Sequence, residues 1–514
     1  MDSPAIAGST WLNTTRTILP PTLASLTLSS LLLMSHPVFG INELLRLVID
    51  ELIEDSLSTA LSFAVACRSF EEPTLSSLWE HQDSLIVLLE VLPNHTLVQD
   101  EDGVETIVIE HDPSAEDWAR LQRYASWMRK IHLGLDGEIP RRPLFLLSRN
   151  CPGGVLFPKL EWLLWEIDET YIALTFFRLF LSPHLKTVTF YSHYNALDIP
   201  QDRLDILVQI ILSFPASLED LTLTCGQGDE EPLKDAITSF ICRGGASLRR
   251  FSSRIPLSEV AVHHLMQLPN LHSWVIVQEP PRTVPTSIFP SLKDLRIDKP
   301  VALPWLHLLA SHGKGILRNG SASAISHTNV RETLTSIVCP CSVTINSTLL
   351  SSVISFRNLV VLSMITCCSD AGSCNFHLTD DDMENLAVTL PRLVTLRFGL
   401  ACRFNSCNTT VASLLMISVH CLDLVTLETH FNTRTIVGDI QRLLDGGSGR
   451  DKAKCKLWNL AVGYLPFEVY GEDIETVATG FKFIFPCLMD FFDSSGCWSE
   501  LRRGMRERRR HVRR

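Results

Sequence analysis

Cysteine has the strongest claim to chemistry in this chain. Fifteen are present, and the densest run is Cys339-Pro-Cys341, Cys367-Cys368, Cys374, Cys402 and Cys407. A tetrahedral zinc site prefers ligand pairs separated by short, recurring spacers. Here the neighbouring cysteines have one, zero, five and, for Cys402 and Cys407, four residues between them and no spacing repeats, so no metal is expected. Cys225 and Cys367 instead close a strand-like motif, where a small thiol packs as a core residue. His263 and His264 are adjacent on a predicted helix, about 100° apart, and cannot chelate as an i, i+4 pair would. Gly226-Gln-Gly228 is half of a dinucleotide fingerprint. It lacks the third glycine, and Asp229, Glu230 and Glu231 would repel a pyrophosphate. There is no phosphate-binding P-loop, no Gly-x-Ser-x-Gly elbow and no His-Glu-x-x-His. No catalytic residue and no cofactor are expected, and the function left is recognition.

The bulk properties agree. Of 514 residues, 46% are hydrophobic and 20% charged, which suits a chain that folds around a large core. The net charge of −12 argues against bulk nucleic-acid binding. Cysteines without regular disulfide spacing read as reduced thiols of an intracellular protein, cytoplasmic or nuclear. Residues 1–36 are expected to be a poorly ordered extension. Ile18 to Met34 is mostly apolar, but Pro20-Pro21 interrupts it, Ser and Thr dilute it, and it falls short of the roughly 20 clean residues of a span. No membrane contact is expected.

Residues 37–80 form the first organised stretch. Leu44, Leu45, Leu47, Val48, Ile49 and Leu52 recur at helical spacing with a broad apolar face. Ser58 can cap a second helix carrying Leu61, Phe63, Ala64, Val65, Cys67 and Phe70. Pro73 suits the first turn of a third helix bearing Leu75, Leu78 and Trp79. A unit of this size cannot bury a self-sufficient core, so part of its apolar surface should face a partner.

The residue order resembles the F-box. Ile41 precedes Glu43-Leu44-Leu45; the Cys-Arg-x-aromatic signature is Ala66-Cys67-Arg68-Ser69-Phe70; the close is Leu78-Trp79. The usual Leu-Pro opening is replaced by Phe39-Gly40-Ile41, with Pro37 displaced upstream, and Phe70 stands where Trp is common. The resemblance implies that Pro37, Ile41, Leu44, Leu45, Leu47, Ile49, Leu52, Cys67, Leu78 and Trp79 bind a Skp-type adaptor, and through it a cullin. The bland alternative is a three-helix cap sealing the next domain.

Residues 81–130 read as a helical linker. Leu85 to Leu92 continues a helix, and two β-rich runs around Asp100-Glu-Asp-Gly103 form a hairpin or insertion. Ser114 caps a helix to Met128, with Asp117 three residues on. Ile131 to Leu133 is a first short strand.

Residues 131–490 repeat. A Leu, two variable residues, a second apolar residue, one variable residue and a third apolar residue begin at Leu160, Leu185, Leu218, Leu248, Leu271, Leu292, Leu359, Leu393, Leu424 and Leu457. The separations are 21 to 34 residues except for one gap of 67, which can hold a degenerate copy at Leu334 with Ile337. Such a period means one strand and one returning helix per turn of a solenoid. The helices fall at 202–214, 230–241, 258–268, 379–390 and 410–421. Variable positions such as Glu161, Glu219, Asp220, Lys293, Asp294, Arg296, Thr395 and Arg397 should line the exposed strand face. Residues 312–350, rich in Ser, Thr, Asn and Gly, are expected to be a loop insertion, and Gly446-Gly447-Ser448-Gly449 another loop.

These units resemble leucine-rich repeats, most clearly from His377 to Phe398, in an irregular array of the fungal F-box type. The expected fold class is α/β: a small three-helix F-box followed by a leucine-rich-repeat-like solenoid with parallel strands. The resemblance implies a substrate-recognition subunit of a Skp-cullin-F-box ubiquitin ligase, binding an unidentified protein substrate and performing no catalysis itself. A basic tail, 491–514, holds eight arginines from Arg502 onward and reads as a solvated terminus, with a nuclear-import or nucleic-acid patch as the alternative.

Overall fold

A computed structural model describes residues 41–493 apart from 94, 100–104, 110, 135–140, 167–171, 192–200, 225–230, 286–287, 298–301, 313–329, 340–343, 365–374, 399–407, 430, 433–434, 446–454, 463–471 and 489. The first 36 residues, Pro37, the glycine loop from Gly446 and the arginine tail lie outside the described residues. So do Gly226-Gln-Gly228 and every cysteine of the dense run except Cys339.

Three helices open the fold: α1 (Asn42–Asp55), α2 (Leu57–Ala66) and α3 (Arg68–Glu80). The strand β1 (His81–Gln82) follows directly. A hairpin of β2 (His95–Gln99) and β3 (Glu105–Ile109) then pairs antiparallel, as the β-rich runs predict. Next is α4 (Ala115–Ala125), whose Ser114–Asp117 capping box is complete: the serine oxygen accepts from the Asp117 N–H, and the carboxylate accepts from Ser114.

The remaining strands are β4 (Lys130–Leu133), β5 (Trp162–Glu166), β6 (Thr187–Tyr191), β7 (Asp220–Leu223), β8 (Arg250–Ser253), β9 (Ser273–Ile276) and β10 (Asp294–Ile297). They continue with β11 (Ser336–Cys339), β12 (Val361–Met364), β13 (Thr395–Arg397), β14 (Thr426–Thr429), β15 (Asn459–Val462) and β16 (Asp490–Asp493). With β1 they make one sheet of fourteen strands among the described residues, parallel and in strict chain order. Sequence-adjacent parallel neighbours at every step are what stacked repeats produce, and the chain is an α/β solenoid of the leucine-rich-repeat kind.

Register explains why the motif recurs. Leu163, Val188, Leu221, Phe251, Trp274 and Leu295 stand opposite one another from strand to strand, and Ile337, Leu362, Leu396, Leu427 and Leu460 extend the line. All of them are buried. The leading leucines, Leu160 through Leu457, form a second buried line. Each repeat alone would leave these stripes in water; stacking joins them into one continuous core. Aromatic rings pack within it, with Trp274 edge-on to Trp305 at 5.4 Å and Phe177 against Phe190 at 5.2 Å.

The returning helices appear where the period places them: Gln201–Leu212, Glu231–Gly244, Glu259–Gln267, Asp380–Thr389 and Val411–His420. Ser258, Thr379 and Thr410 cap three of them. Asp380 also accepts from the Thr410 N–H and hydroxyl, both at 2.7 Å, tying one repeat to the next.

The structure differs from the sequence reading in several places. The span 312–350 is not wholly a loop: the degenerate copy forms β11, with Leu334, Ile337 and Cys339 buried, and a helix occupies Ser347–Val353. Only 313–329 and 340–343 of that span lie outside the described residues. The sheet starts at β1, within the expected linker, and a further repeat ends in β16, led by Leu488. Leu85 to Leu92 holds only a single helical turn, Ile86–Leu89.

Candidate functional site

The three opening helices owe their boundaries to two extended residues. Ser56 (φ −166°, ψ 125°) separates α1 from α2, and Cys67 (φ −153°, ψ 138°) separates α2 from α3. Ser58 is therefore not the cap of the second helix; Ser56 holds that position, and its hydroxyl lies 2.8 Å from that of Ser58. The third helix begins at Arg68, five residues before Pro73, which sits inside it. Cys67 is the link between helices and its thiol lies 3.0 Å from the Ser69 hydroxyl, a hydrogen bond that lowers the thiol pKa.

On α1 the apolar residues divide into two stripes. At about 100° per residue, Leu45 and Ile49 share one side, and Leu44 and Leu47 point well away from it. Leu45 and Ile49 meet Phe70 in a small core of their own, flanked by Ile53, Phe63 and Cys67. Phe63 stacks on Phe70, centroids 4.4 Å apart. Ala60 and Ala64 on α2 are buried at i, i+4 spacing. This core is separate from the one that runs through the sheet.

The other stripe stays outside. Ile41, Leu44, Leu47 and Val65 are 46, 38, 65 and 69% exposed. The expected adaptor residues therefore fall into four groups. Ile41, Leu44 and Leu47 face water. Leu52, Cys67 and Leu78 are half-buried. Leu45 and Ile49 are turned inward and offer nothing to a partner, because the helical period admitted both stripes equally. Trp79 packs on the core of the sheet, its ring 4.6 Å from Tyr124. Val65 is the residue that the sequence reading left out of the contact set. Its signal was present: it adjoins the buried Ala64 on a helix with only a small residue to bury there.

Among the described residues α3 makes the main ties between the unit and the sheet. Besides Trp79, the Arg129 N–H donates to the Glu80 carbonyl at 2.9 Å, and Arg123 lies 3.9 Å from Glu71. An ion pair between Arg46 and Glu80 holds α1 to the end of α3.

The exposed strand face is the second candidate surface. Glu161, Glu219, Asp220, Lys293, Asp294, Arg296, Thr395 and Arg397 are all exposed or half-exposed, as the alternation predicts. In the first half of the sheet the charges answer one another across strands. Arg129 and Lys186 both pair with Glu161, at 2.5 and 2.8 Å. Arg249 pairs with Glu219 at 3.1 Å and Arg250 with Asp220 at 2.5 Å. The Lys186 and Arg129 partners hold the Glu161 carboxyl below its ordinary value. Glu428 behaves in the opposite way: burial raises its pKa, and Arg397, 3.9 Å away, offsets only part of that.

Among the described residues no group of three or more His, Cys, Asp or Glu is placed to hold a metal ion. His263 is engaged structurally, its Nε2 2.6 Å from the Thr283 carbonyl. Burial pushes the thiols of Cys421 and Cys455 up to about 12 and about 11, which suits inert core residues. No helix of the described residues is long and apolar enough to cross a membrane.

No family model matches the chain, and no curated protein matches it. Among solved structures it is similar to the crystal structure of the Rad7 and Elc1 complex in yeast, at 12% identity over 90% of this chain and 92% of that one, with a TM-score of 0.36. So distant a likeness carries no functional argument.

Proposed function

We propose that the chain is the substrate-recognition subunit of a Skp-cullin-F-box ubiquitin ligase. The helical unit docks the Skp-type adaptor, the solenoid holds a protein substrate, and enzymes elsewhere in the ligase supply the chemistry. The receptor contributes effective concentration and orientation.

One observation carries the reading. A cap would bury its apolar face against the first repeat. Instead α1 and α2 close on a core of their own and leave Ile41, Leu44, Leu47 and Val65 in water. Exposed apolar residues concentrated in one small unit are the mark of a docking surface. The alternative, a non-catalytic scaffold with a helical cap, is favoured by α3 alone, through Trp79 and the strand that follows it.

The test is binding of the purified full-length chain to a recombinant Skp-type adaptor. Leu44→Asp with Leu47→Asp should abolish binding while the circular dichroism spectrum stays unchanged. Undiminished binding would sink the proposal. Leu45→Asp is not a usable variant, because it places a charge in the small core.

A further inference from the structure

The residues just before the strands form a row of their own, linked strand to strand. The Val360 N–H donates to the Thr335 carbonyl at 2.8 Å, Val394 to Val360 at 2.8 Å, Val425 to Val394 at 2.8 Å and Trp458 to Val425 at 3.0 Å. In the first half of the sheet the same row reads Arg129, Glu161, Lys186, Glu219 and Arg249, and its charges are bridged internally. It continues through His272, Lys293 and Thr335, and its last four described positions are Val360, Val394, Val425 and Trp458. The three valines are half-exposed and Trp458 is 56% exposed.

Two polar borders flank this apolar row. On the strand side stand Val361, Thr395, Thr426 and Asn459 in register, so that border is mostly hydroxyl and amide. On the other side, two residues earlier, stand Asn358, Arg392, Asp423 and Lys456. Arg392 donates to Asn358 at 3.2 Å and Lys456 pairs with Asp423 at 2.8 Å. With exposed Arg357 beside it, this border carries three cations against one carboxylate.

We infer that Val360, Val394, Val425 and Trp458 form a seat for an amphipathic helix of a partner protein, one with acidic residues along the flank that meets Arg357, Arg392 and Lys456. Strand spacing decides between a helix and an extended segment. Neighbouring strands lie about 4.8 Å apart, so the row spans about 14 Å. A helix laid along it advances about 5.4 Å per turn and drifts by only about 2 Å over three strands. An extended segment presents same-face side chains about 6.7 Å apart and drifts by about 6 Å. A helix of about four turns therefore sets one apolar contact on each strand. The exposed indole supplies the anchor that such contacts rest on. The inference deepens the reading of the solenoid as the recognition surface and does not depend on the helical unit docking anything.

The experiment uses the full-length chain and no adaptor, so its failure is distinguishable from failure of the adaptor reading. The probe is a labelled helical peptide of about 18 residues with leucines along one stripe and glutamates on one flank, followed by fluorescence anisotropy. Binding should weaken at least roughly 10-fold when the glutamates become lysines, and as much with Trp458→Ala or Val425→Asp in the protein. Lys186→Ala, in the charged half of the row, should leave it unchanged. No binding at about 100 μM, equal binding of both flank versions, or indifference to Trp458→Ala would each overturn the inference. So would self-association of the chain, seen by sedimentation and lost in Trp458→Ala, which would make the occupant a second copy.

Discussion

Along the sheet, Leu163, Val188, Leu221 and their successors are buried one behind another, and in its first half the residues beside them include the bridged charges Glu161, Lys186, Glu219 and Arg249. In the helical unit only Leu45, Ile49 and Phe70 anchor the buried core, while Leu47 and Val65 stand outside. Both regions are rich in apolar residues at regular spacing. They differ in whether a neighbour of the same kind exists to cover the second face. A repeat always has one. The helical unit does not, and its uncovered face is what a partner could complete.

If the two cores are as independent as they look, damage to one should stay local. Phe251→Ala opens a cavity in the continuous core and should cost about 3–5 kcal/mol, read as a lower urea midpoint for the whole solenoid. Ile49→Ala should cost about 2 kcal/mol in the helical unit, at the low end for so small a core. Hydrogen exchange should show α1 and α2 losing protection while strand amides keep theirs. An equal loss in the strands would mean that the two regions fold as one and would break the comparison. Thr410→Ala removes a cap and the Asp380 contact between repeats, and should cost about 1 kcal/mol in thermal or urea unfolding.

The smallest effects concern pH and separate the two halves of the strand face. Glu161 has a lowered folded-state pKa, so its contribution is present above the ordinary glutamate value of 4.5 and is lost as pH falls through the lower folded value. Glu161→Gln should thus lower the melting temperature at pH 7 and have no effect in acid. Glu428 has a raised folded-state pKa, so ionising it opposes folding above 4.5, and protonation relieves that opposition as pH falls. Glu428→Gln should raise the melting temperature at pH 7, with the gain vanishing in acid.

The solenoid was legible because its signal is redundant. The leading leucines from Leu160 to Leu457 are buried, and even the copy at Leu334, inside a gap of 67 residues, forms a strand. What escaped were elements with too little sequence to show a period. His81-Gln82 is two residues long, and in β16 the motif keeps its Leu488-to-Phe491 spacing but closes on Asp493 instead of a third apolar residue.

The candidate site was legible in part. Its helices were expected, but Leu44 and Leu45 are adjacent, both apolar, and point about 100° apart. Only packing against Phe70 distinguishes the residue that holds the unit together from the one left for a partner. The break at Ser56 was misplaced because Ser56 and Ser58 lie two residues apart and either could cap the helix, and the break at Cys67 because the apolar periodicity of the second helix continues past it to Phe70.

Titration calorimetry of the full-length chain with a recombinant Skp-type adaptor, beside the Leu44→Asp, Leu47→Asp double variant, tests the uncovered face most directly. The account predicts saturable binding by the parent chain and none by the variant, with both giving the same urea midpoint. An adaptor that fails to bind the parent chain, or that binds the variant equally well, would contradict it.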